Sequence, residues 1–246
     1  MKKLLLSIFA LALSCVGYAQ MNLEAINPDA VASSSLSTFT SIDIIAPMII
    51  RLERVDSPEE CKIKYDLKGV TDSKFNFEVK DSVLYIRERV LFKRTSISEA
   101  VIYYHDLKSL TVSRAKVSLS GGAIKCSLFD LKLLTESVFV GGVECDDLKV
   151  SAQNRSRATL SGSSKYVTVE AISSGVADLQ NVSSVAAWVS ASNGATVEVA
   201  VSERLDVKSS AGAVVKYHGN PSIVRSQKPL IGGEVFQIDT LDSRWD

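Results

Sequence analysis

The sequence predicts an all-β fold of the parallel β-helix type, a solenoid whose chain winds into stacked coils of about 19 residues. Three observations predict it. Short alternations of apolar and polar residues, typical of half-buried strands, recur from Phe39 to beyond Leu205. From Leu110 onward their pattern repeats with a nearly constant period. That period is too short for parallel strands joined by crossover helices, because such a unit needs roughly 30 residues.

The first part of the folded region, residues 38–106, predicts strands without a regular repeat. Its strands are short, rich in β-branched or aromatic residues, and separated by turn formers. They are MIIRLERV, CKIKYDL, FNFEVK, VLYIRERV and AVIYYHDL. We expect these residues to form about four irregular coils that widen and close one end of the solenoid.

The regular part, residues 107–220, repeats an apolar pair about every 19 residues. The pairs are Leu110/Val112, Leu131/Leu133, Leu148/Val150, Val167/Val169, Ala187/Val189 and Leu205/Val207. A second apolar pair follows each of them: Val117/Leu119, Val138/Val140, Ala158/Leu160, Ala177/Leu179, Val197/Val199 and Val215/Tyr217. The pattern predicts two or three short strands per coil, with equivalent residues stacked about 4.8 Å apart in internal columns.

Small residues between the pairs predict the corners of the coils. They lie at 151–152, 173–175, 190–194 and 209–212. Serine and glycine suit sharp bends, because glycine accepts positive φ and serine bonds neighbouring amides. Hairpins are the alternative connection, but Asn193-Gly194 is the one clear two-residue hairpin signal.

The N-terminus predicts export. Residues 1–19 combine two lysines, an apolar run and the small residues Gly17 and Ala19, as a signal peptide cut after Ala19 does, and the run is too short for a lasting membrane span. This predicts the periplasm or the cell surface. The alternative is an outer-membrane lipoprotein acylated at Cys15. Leu13 argues against this, because it lies one residue later than the leucine of the usual lipobox motif before an acylated cysteine.

The remaining chain divides into a polar tether over 20–37, the β-helix domain over 38–240 and a tail over 241–246. Within the domain we expect a C-terminal cap over 221–240, because Pro229, charges and a last apolar strand close an exposed coil. No later segment has 18 uninterrupted apolar residues, so we expect no transmembrane span.

Composition and motifs argue against several function classes. Basic and acidic residues are equal at 28 each, so no net field favours nucleic acid. His105 and His218 are the two histidines and have no zinc-site spacing, and no nucleophile elbow or phosphate loop occurs. We therefore expect no cofactor, no metal and no catalytic residue.

Two groups of residues are the candidates for ligand binding. Trp188 is expected to point outward, with Tyr166 one coil earlier, so that an indole could stack on a sugar ring or meet a partner. The polar stretch at Asn154, Arg155 and Arg157 offers donors to a glycan or an acidic partner, although a solvated bend is the favoured interpretation of this stretch. The acidic residues Glu144, Asp146 and Asp147 are interpreted as a solvated turn, with a cation site as the alternative.

The three cysteines after the leader leave an odd number in an oxidising compartment. Cys126 and Cys145 lie 19 residues apart, one coil, so they are expected to stack. This leaves open either a disulfide or two buried thiols, of which the thiols are favoured because vertical stacking seldom gives the required dihedral angle. Cys61 is interpreted as core.

Several quoted segments together carry a resemblance to a known family. The order FTSIDIIAPMIIRLERV, DSVLYI, VIYYHDLKSLTVSRAKVSL, the serine- and glycine-cornered repeats and YHGNPSIV is similar to the putative auto-transporter adhesin, head GIN domain family of exported Bacteroidetes proteins. The resemblance spans about Phe39 to Ile238. It implies a single-stranded right-handed parallel β-helix, and it supplies no binding residue.

These observations lead to an exported, noncatalytic β-helix that acts as an adhesin-like or cell-envelope interaction module. Its partner would be a glycan or an envelope protein, and its oligomeric state is left open. The alternatives are a carbohydrate-active enzyme, which would need two carboxylates about 5 to 10 Å apart in a groove, and a structural spacer, which would have no aromatic surface patch.

Overall fold

The computed structural model describes residues 32–68, 73–90, 96–227 and 232–238. The predicted leader, Cys15, most of the tether and the tail lie outside these residues. Within them the fold is almost entirely β, with one 3₁₀ turn at Pro58–Glu60 and no α-helix. None of the described segments is a helix with the length and apolarity needed to cross a bilayer.

The strands fall into a short-stranded N-terminal part, five long strands and a short C-terminal part. They are β1 (Ala32–Ser35), β2 (Ser41–Ile45), β3 (Met48–Arg54), β4 (Lys62–Asp66), β5 (Ser73–Lys80), β6 (Val83–Val90), β7 (Ser98–Tyr104), β8 (Ser109–Ser113), β9 (Lys116–Leu133), β10 (Val138–Gln153), β11 (Arg157–Ile172), β12 (Val176–Ser192), β13 (Thr196–Ser209), β14 (Val214–His218), β15 (Ile223–Gln227) and β16 (Glu234–Gln237).

The chain forms a β-solenoid, as predicted. It has about six turns, with parallel bridges about 20 residues apart. Each turn, here called a winding, pairs in parallel with the windings on both sides. Leu148 in β10, for example, lies between Phe129 in β9 and Val167 in β11. The ladder residues of the long strands therefore pair their backbone N–H and C=O groups along the axis of the solenoid.

Each long strand contributes to three ladders, which are separated by irregular pairing. In β11 the first ladder includes residues 157–159, the second 161–164 and the third 166–172. Between the first and second ladders the register shifts, for example at Thr159/Ser161. The corner that leads from the third ladder to the next winding is here called the third corner.

The predicted internal column is confirmed in four consecutive windings. Leu148, Val167, Ala187 and Leu205 are Cα partners in sequence and all are buried. Such a column gives each winding an apolar contact with the next, so burial adds up along the axis.

The predicted alignment of Leu131 with Leu148 is wrong by two residues. Leu131 pairs with Val150, and Phe129 is the residue that pairs with Leu148. A slip of two leaves every apolar side chain on the same face, so strand alternation alone could not detect it.

The predicted inward pair Val138/Val140 is wrong by one residue. Phe139 is the buried residue and stacks between Val117 and Ala158, whereas Val140 is 39% exposed. The segment Val-Phe-Val has no alternation of polarity, so its sequence could not indicate which face is inward.

The third corners repeat a left-handed backbone. Ser173 and Ser174 have φ of 53° and 60°, and Asn193 and Gly194 have φ of 55° and 70°. The predicted corner at 173–175 is therefore confirmed, and Asn193-Gly194 forms a corner instead of a hairpin. The predicted corner at 151–152 is wrong, because these residues pair within β10 and the bend lies at Asn154 and Arg155.

The N-terminal part differs from the expected stack of four coils. It forms two windings whose spatial order is reversed, because β2 pairs with β6 and β8 while β3 pairs with β7 and β9. The winding at 41–54 thus lies between the later winding at 83–104 and the regular part. Sequence order gave no signal for this crossover.

Antiparallel strands close this end. β5 pairs with β6, and β4 pairs with β7. Tyr65, Phe75 and Phe77 lie with ring centroids 4.8 to 5.6 Å apart and pack against the core. The expected tether over 20–37 needs correction at its end, because Ala32–Ser35 pairs with β4. Polar serines fit this edge strand, since its main chain pairs on one side only.

The C-terminal part continues the ladders. β15 pairs with β13 and β16 with β14, both in parallel. Val235 packs against the core, while all of β15 is exposed. Of the predicted cap, residues 228–231 and 239–240 lie outside the described part of the chain.

Gly162 tests the close stacking of the windings. Its φ is +118°, and a Cβ there would lie 2.1 Å from the carbonyl oxygen of Val143 in the neighbouring winding. We expect Gly162→Ala to lower the free energy of unfolding by at least about 3 kcal/mol, measured by urea denaturation.

The matched control is Gly121→Ala, because Gly121 has φ of +70° and open space around its Cα. It should lose only about 1 kcal/mol, the ordinary penalty for alanine at positive φ. Equal losses in the two variants would contradict the tight stacking.

Candidate functional site

The outer face of the third ladder carries two exposed aromatic side chains. Because Val167 and Val189 point inward, strand alternation turns Tyr166 and Trp188 outward. Tyr166 is 47% exposed and Trp188 is 48% exposed. The predicted outward position of both residues therefore agrees with the structure.

Tyr166 and Trp188 are diagonal neighbours in adjacent windings. Tyr166 in β11 is the Cα partner of Ala186 in β12. Trp188, two residues after Ala186 in β12, is the Cα partner of Thr168 in β11. Diagonal neighbours of this kind are within reach of large side chains. Both partners, Ala186 and Thr168, have small side chains, so neither aromatic side chain faces a bulky partner within the β11–β12 pair.

Charged side chains border the two rings. Lys165 Nζ lies 5.3 Å from the centroid of the Tyr166 ring. Asp206, the Cα partner of Trp188 in the next winding, accepts a hydrogen bond from Arg204 Nε at 2.6 Å. We call Tyr166, Trp188, Lys165, Arg204 and Asp206 the aromatic patch.

Arg204 and Asp206 form an ion pair beside Trp188. The hydrogen bond from Arg204 lowers the pKa of Asp206 below its ordinary value, and this carboxylate, like any solvent-accessible aspartate, is ionised at neutral pH. The two apolar ring faces therefore stand beside fixed hydrogen-bonding groups. This combination suits a sugar, which presents C–H groups on one side and hydroxyls around its edge.

The other predicted ligand residues lie apart from the aromatic patch. Asn154 and Arg155 form the third corner after β10, with φ of 51° and 63°, and Arg157 is exposed on the first ladder. Arg155 Nη2 donates to Glu136 Oε1 in the neighbouring winding. The structure thus places Asn154 and Arg155 at a corner and Arg157 on the first ladder, and it ties Arg155 into an exposed ion pair.

The acidic residues Glu144, Asp146 and Asp147 are all exposed. Glu144 Oε2 lies 2.8 Å from Lys125 Nζ, so a cation already balances one of the three charges. Within the described part of the chain no group of three or more histidine, cysteine, aspartate or glutamate residues is placed to hold a metal ion.

The two histidines make contacts between distant segments. His218 Nε2 lies 2.7 Å from Glu198 Oε1 in the adjacent winding, and His105 Nδ1 lies 3.2 Å from the carbonyl oxygen of Val55. Glu198 is also the Cα partner of Asp178, so two carboxylate residues stand in one outward column. His218 engages Glu198, and neither carboxylate lines the cavity described next.

An open cavity of about 420 Å³ lies near the N-terminal end of the solenoid. It is lined by Pro47, Met48, Ile49, Ser96, Ile97, Arg114 and Lys116. These residues come from three windings and include no carboxylate. Sequence reasoning missed them because the windings involved stack out of sequence order.

Cys126 and Cys145 are Cα partners in adjacent windings, as their spacing predicts, and both are free thiols in this structure. Cys145 Sγ lies 3.6 Å from Ser164 Oγ, the next residue of the same column. Burial, and secondarily the neighbouring Cys145, raises the pKa of Cys126 to about 11. Cys61 is buried in the core.

Comparison with known proteins gives a family and a fold. The family model described as "Putative auto-transporter adhesin, head GIN domain" matches residues 38–221. No curated protein gives a significant match. The family match covers most of the described residues and ends just before β15.

Three solved structures share the fold at low sequence identity. A putative adhesin from Bacteroides fragilis NCTC 9343 is 15% identical, with a TM-score of 0.74, and the alignment covers 85% of this chain and 96% of that chain. A putative adhesin from Parabacteroides distasonis ATCC 8503 is 16% identical, with a TM-score of 0.64 and the same coverages. A putative lipid binding protein from the same organism is 15% identical, with a TM-score of 0.61 and coverages of 84% and 96%. At these identities the likeness establishes the fold alone.

The raised pKa of Cys126 predicts slow alkylation. At pH 8.5 about half of an ordinary cysteine is thiolate, whereas a pKa of about 11 leaves well under one per cent. We expect iodoacetamide to modify Cys126 at least about tenfold more slowly than glutathione, with a rate that keeps rising up to pH 11.

Peptide mass spectrometry of the native chain would measure this rate at Cys126 itself. The urea-unfolded chain is the control, and its Cys126 should react like glutathione. Equal rates in the native and unfolded chains, or a Cys126–Cys145 cross-linked peptide from unreduced protein, would contradict the prediction.

Proposed function

We propose that this chain, which belongs to the auto-transporter adhesin head GIN domain family, is an exported, noncatalytic binding module that recognises a glycan through its aromatic patch. The family description supports an adhesin-like role, and the β-solenoid supplies a stiff support for a binding face. The ligand class and the position of the site are our own inference from the side chains.

The observation that carries the proposal is the exposure of Trp188 and Tyr166 on one face. Large aromatic side chains half exposed beside each other are unusual on a protein surface without a binding role. On a solenoid their spacing is fixed by the main-chain pairing of β11 and β12. The backbone positions of the two aromatic residues are therefore set before the ligand arrives, which limits the entropy lost on binding.

The predicted leader and the family description together support export. The mature protein would act in the periplasm or at the cell surface, where glycans and envelope proteins are available as partners. An envelope protein is the other partner class, and it would meet the same aromatic patch.

The enzyme alternative has less support. A retaining or inverting glycosidase needs two carboxyl groups facing each other across a substrate groove. The described cavity has no carboxylate in its lining, and Glu198 is engaged by His218. The spacer alternative does not explain the aromatic patch.

A glycan array tests the proposal. Once the wild-type chain identifies a bound glycan, Trp188→Ala and Tyr166→Ala should each weaken that binding by about tenfold or more, because stacked aromatic residues are typical hot spots. Affinities would be measured by biolayer interferometry, with circular dichroism to confirm an unchanged fold.

Phe236→Ala is the matched control. Phe236 is 46% exposed but lies on β16 in the first ladder, away from the aromatic patch. Its variant should bind like wild type. If Phe236→Ala weakened binding as much as Trp188→Ala, or if the array and a pull-down from envelope extracts both found no ligand, the proposal would be overturned.

A further inference from the structure

The cavity near the N-terminal end lies along the third corners of three neighbouring windings. Ser96 and Ile97 precede β7, Pro47 and Met48 join β2 to β3, and Arg114 to Lys116 join β8 to β9. Because β3 lies between β7 and β9, these corners are stacked side by side. We call this opening the corner cavity.

Short corners explain why the surface recedes here. Only residues 46–47 separate β2 from β3, and only residues 114–115 separate β8 from β9. The next corners are longer: residues 134–137 separate β9 from β10, and residues 154–156 separate β10 from β11. The corners at 46–47 and 114–115 therefore contribute few residues to this part of the surface, which leaves room for the depression.

The walls of the corner cavity are mainly apolar. Met48 is buried at its base, Ile49 is half-buried, and Ile97 is 50% exposed at its edge. Ile97 thus exposes apolar area at the rim of the cavity, and the burial of this area under an apolar ligand would be favourable. The volume of about 420 Å³ is in the range of small-molecule sites.

Two cations complete the lining. Neither Arg114 nor Lys116 has an ion pair or a side-chain hydrogen bond with any described residue. Glu99, the Cα partner of Ile49, lies 3.2 Å from Lys68 Nζ, and Glu136, in the corner bonded to Arg114, is paired with Arg155. Among the described residues, no carboxylate therefore balances the charge of Arg114 or Lys116.

The backbone of Arg114 is held in place. Its φ is 66°, and its N–H donates to the carbonyl oxygen of Thr135 at 2.8 Å and to Ser137 Oγ at 3.2 Å. A bulky residue in this conformation persists because its surroundings enforce it. The Cα atom from which the Arg114 side chain extends is therefore held in place beside the apolar wall.

We propose that the corner cavity binds an acyl carboxylate, with the carboxylate held between Arg114 and Lys116 and the hydrocarbon chain lying on Ile49 and Ile97. Arginine matches a carboxylate with two parallel N–H groups, and lysine adds a second charge. A small hydrated anion would leave the apolar wall uncovered, and a neutral hydrocarbon would leave the two cations without a partner. A ligand with both a carboxylate and a hydrocarbon chain matches both parts of the lining. This site is separate from the aromatic patch and does not rest on the proposed function.

Calorimetric titration of the full chain with sodium decanoate, below its micelle-forming concentration, tests the proposal. We expect decanoate to bind, and decanol and acetate to bind at least about tenfold more weakly, since each lacks one half of the recognised structure. Arg114→Gln and Lys116→Gln should each weaken decanoate binding by about tenfold. Ile97→Ser should weaken it as well.

Arg157→Gln is the matched control, because Arg157 lies two windings further along the column of Lys116 and outside the corner cavity. It and Trp188→Ala should bind decanoate like wild type, with unchanged circular dichroism in every variant. Decanol binding as tightly as decanoate, equal losses with Arg157→Gln and Arg114→Gln, or no decanoate binding to folded wild-type chain would each overturn the proposal.

Discussion

Main-chain hydrogen bonding between neighbouring windings is the constraint on which the rest of this structure depends. Each residue of a ladder must present its N–H and C=O along the axis, so an insertion or deletion is absorbed only where pairing is interrupted. Register shifts accordingly occur between ladders, as at Leu179/Ser183. The same constraint aligns the third corners, where Ser174 N–H donates to the carbonyl oxygen of Asn193 in the next winding.

This constraint divides the side chains into two classes with different roles. Inward residues such as Val167 and Val169 must have apolar side chains that fill the core and stack on their partners above and below. Outward residues such as Tyr166 and Trp188 are positioned with equal accuracy but are free of packing demands. A solenoid can therefore change its binding surface without changing its core, and its sites are best sought on outward columns.

The sequence predicted the period, the internal column from Leu148 to Leu205 and the outward aromatic residues, because each follows from alternation within one strand and one repeat length. It failed where alternation carries no information. The predicted pairing of Leu131 with Leu148 was wrong by two residues, a shift that leaves the same side chains facing inward. Phe139 was missed because it lies in a run of three apolar residues, where no alternation marks the inward side chain. The reversed stacking of the first two windings depends on long-range pairing that no local pattern encodes.

The corner cavity shows why such long-range pairing matters for function. Ile97 and Arg114 are close in sequence, but Pro47 and Met48 reach them only because the winding at 41–54 is inserted between two later windings. A strictly sequential solenoid would place the short corners at 46–47 and 114–115 apart, and each would leave only a shallow step. Because the winding at 41–54 lies directly beside β9, the two short corners are adjacent and together form one concavity. A repetitive fold can gain a pocket in this way without a change in its core.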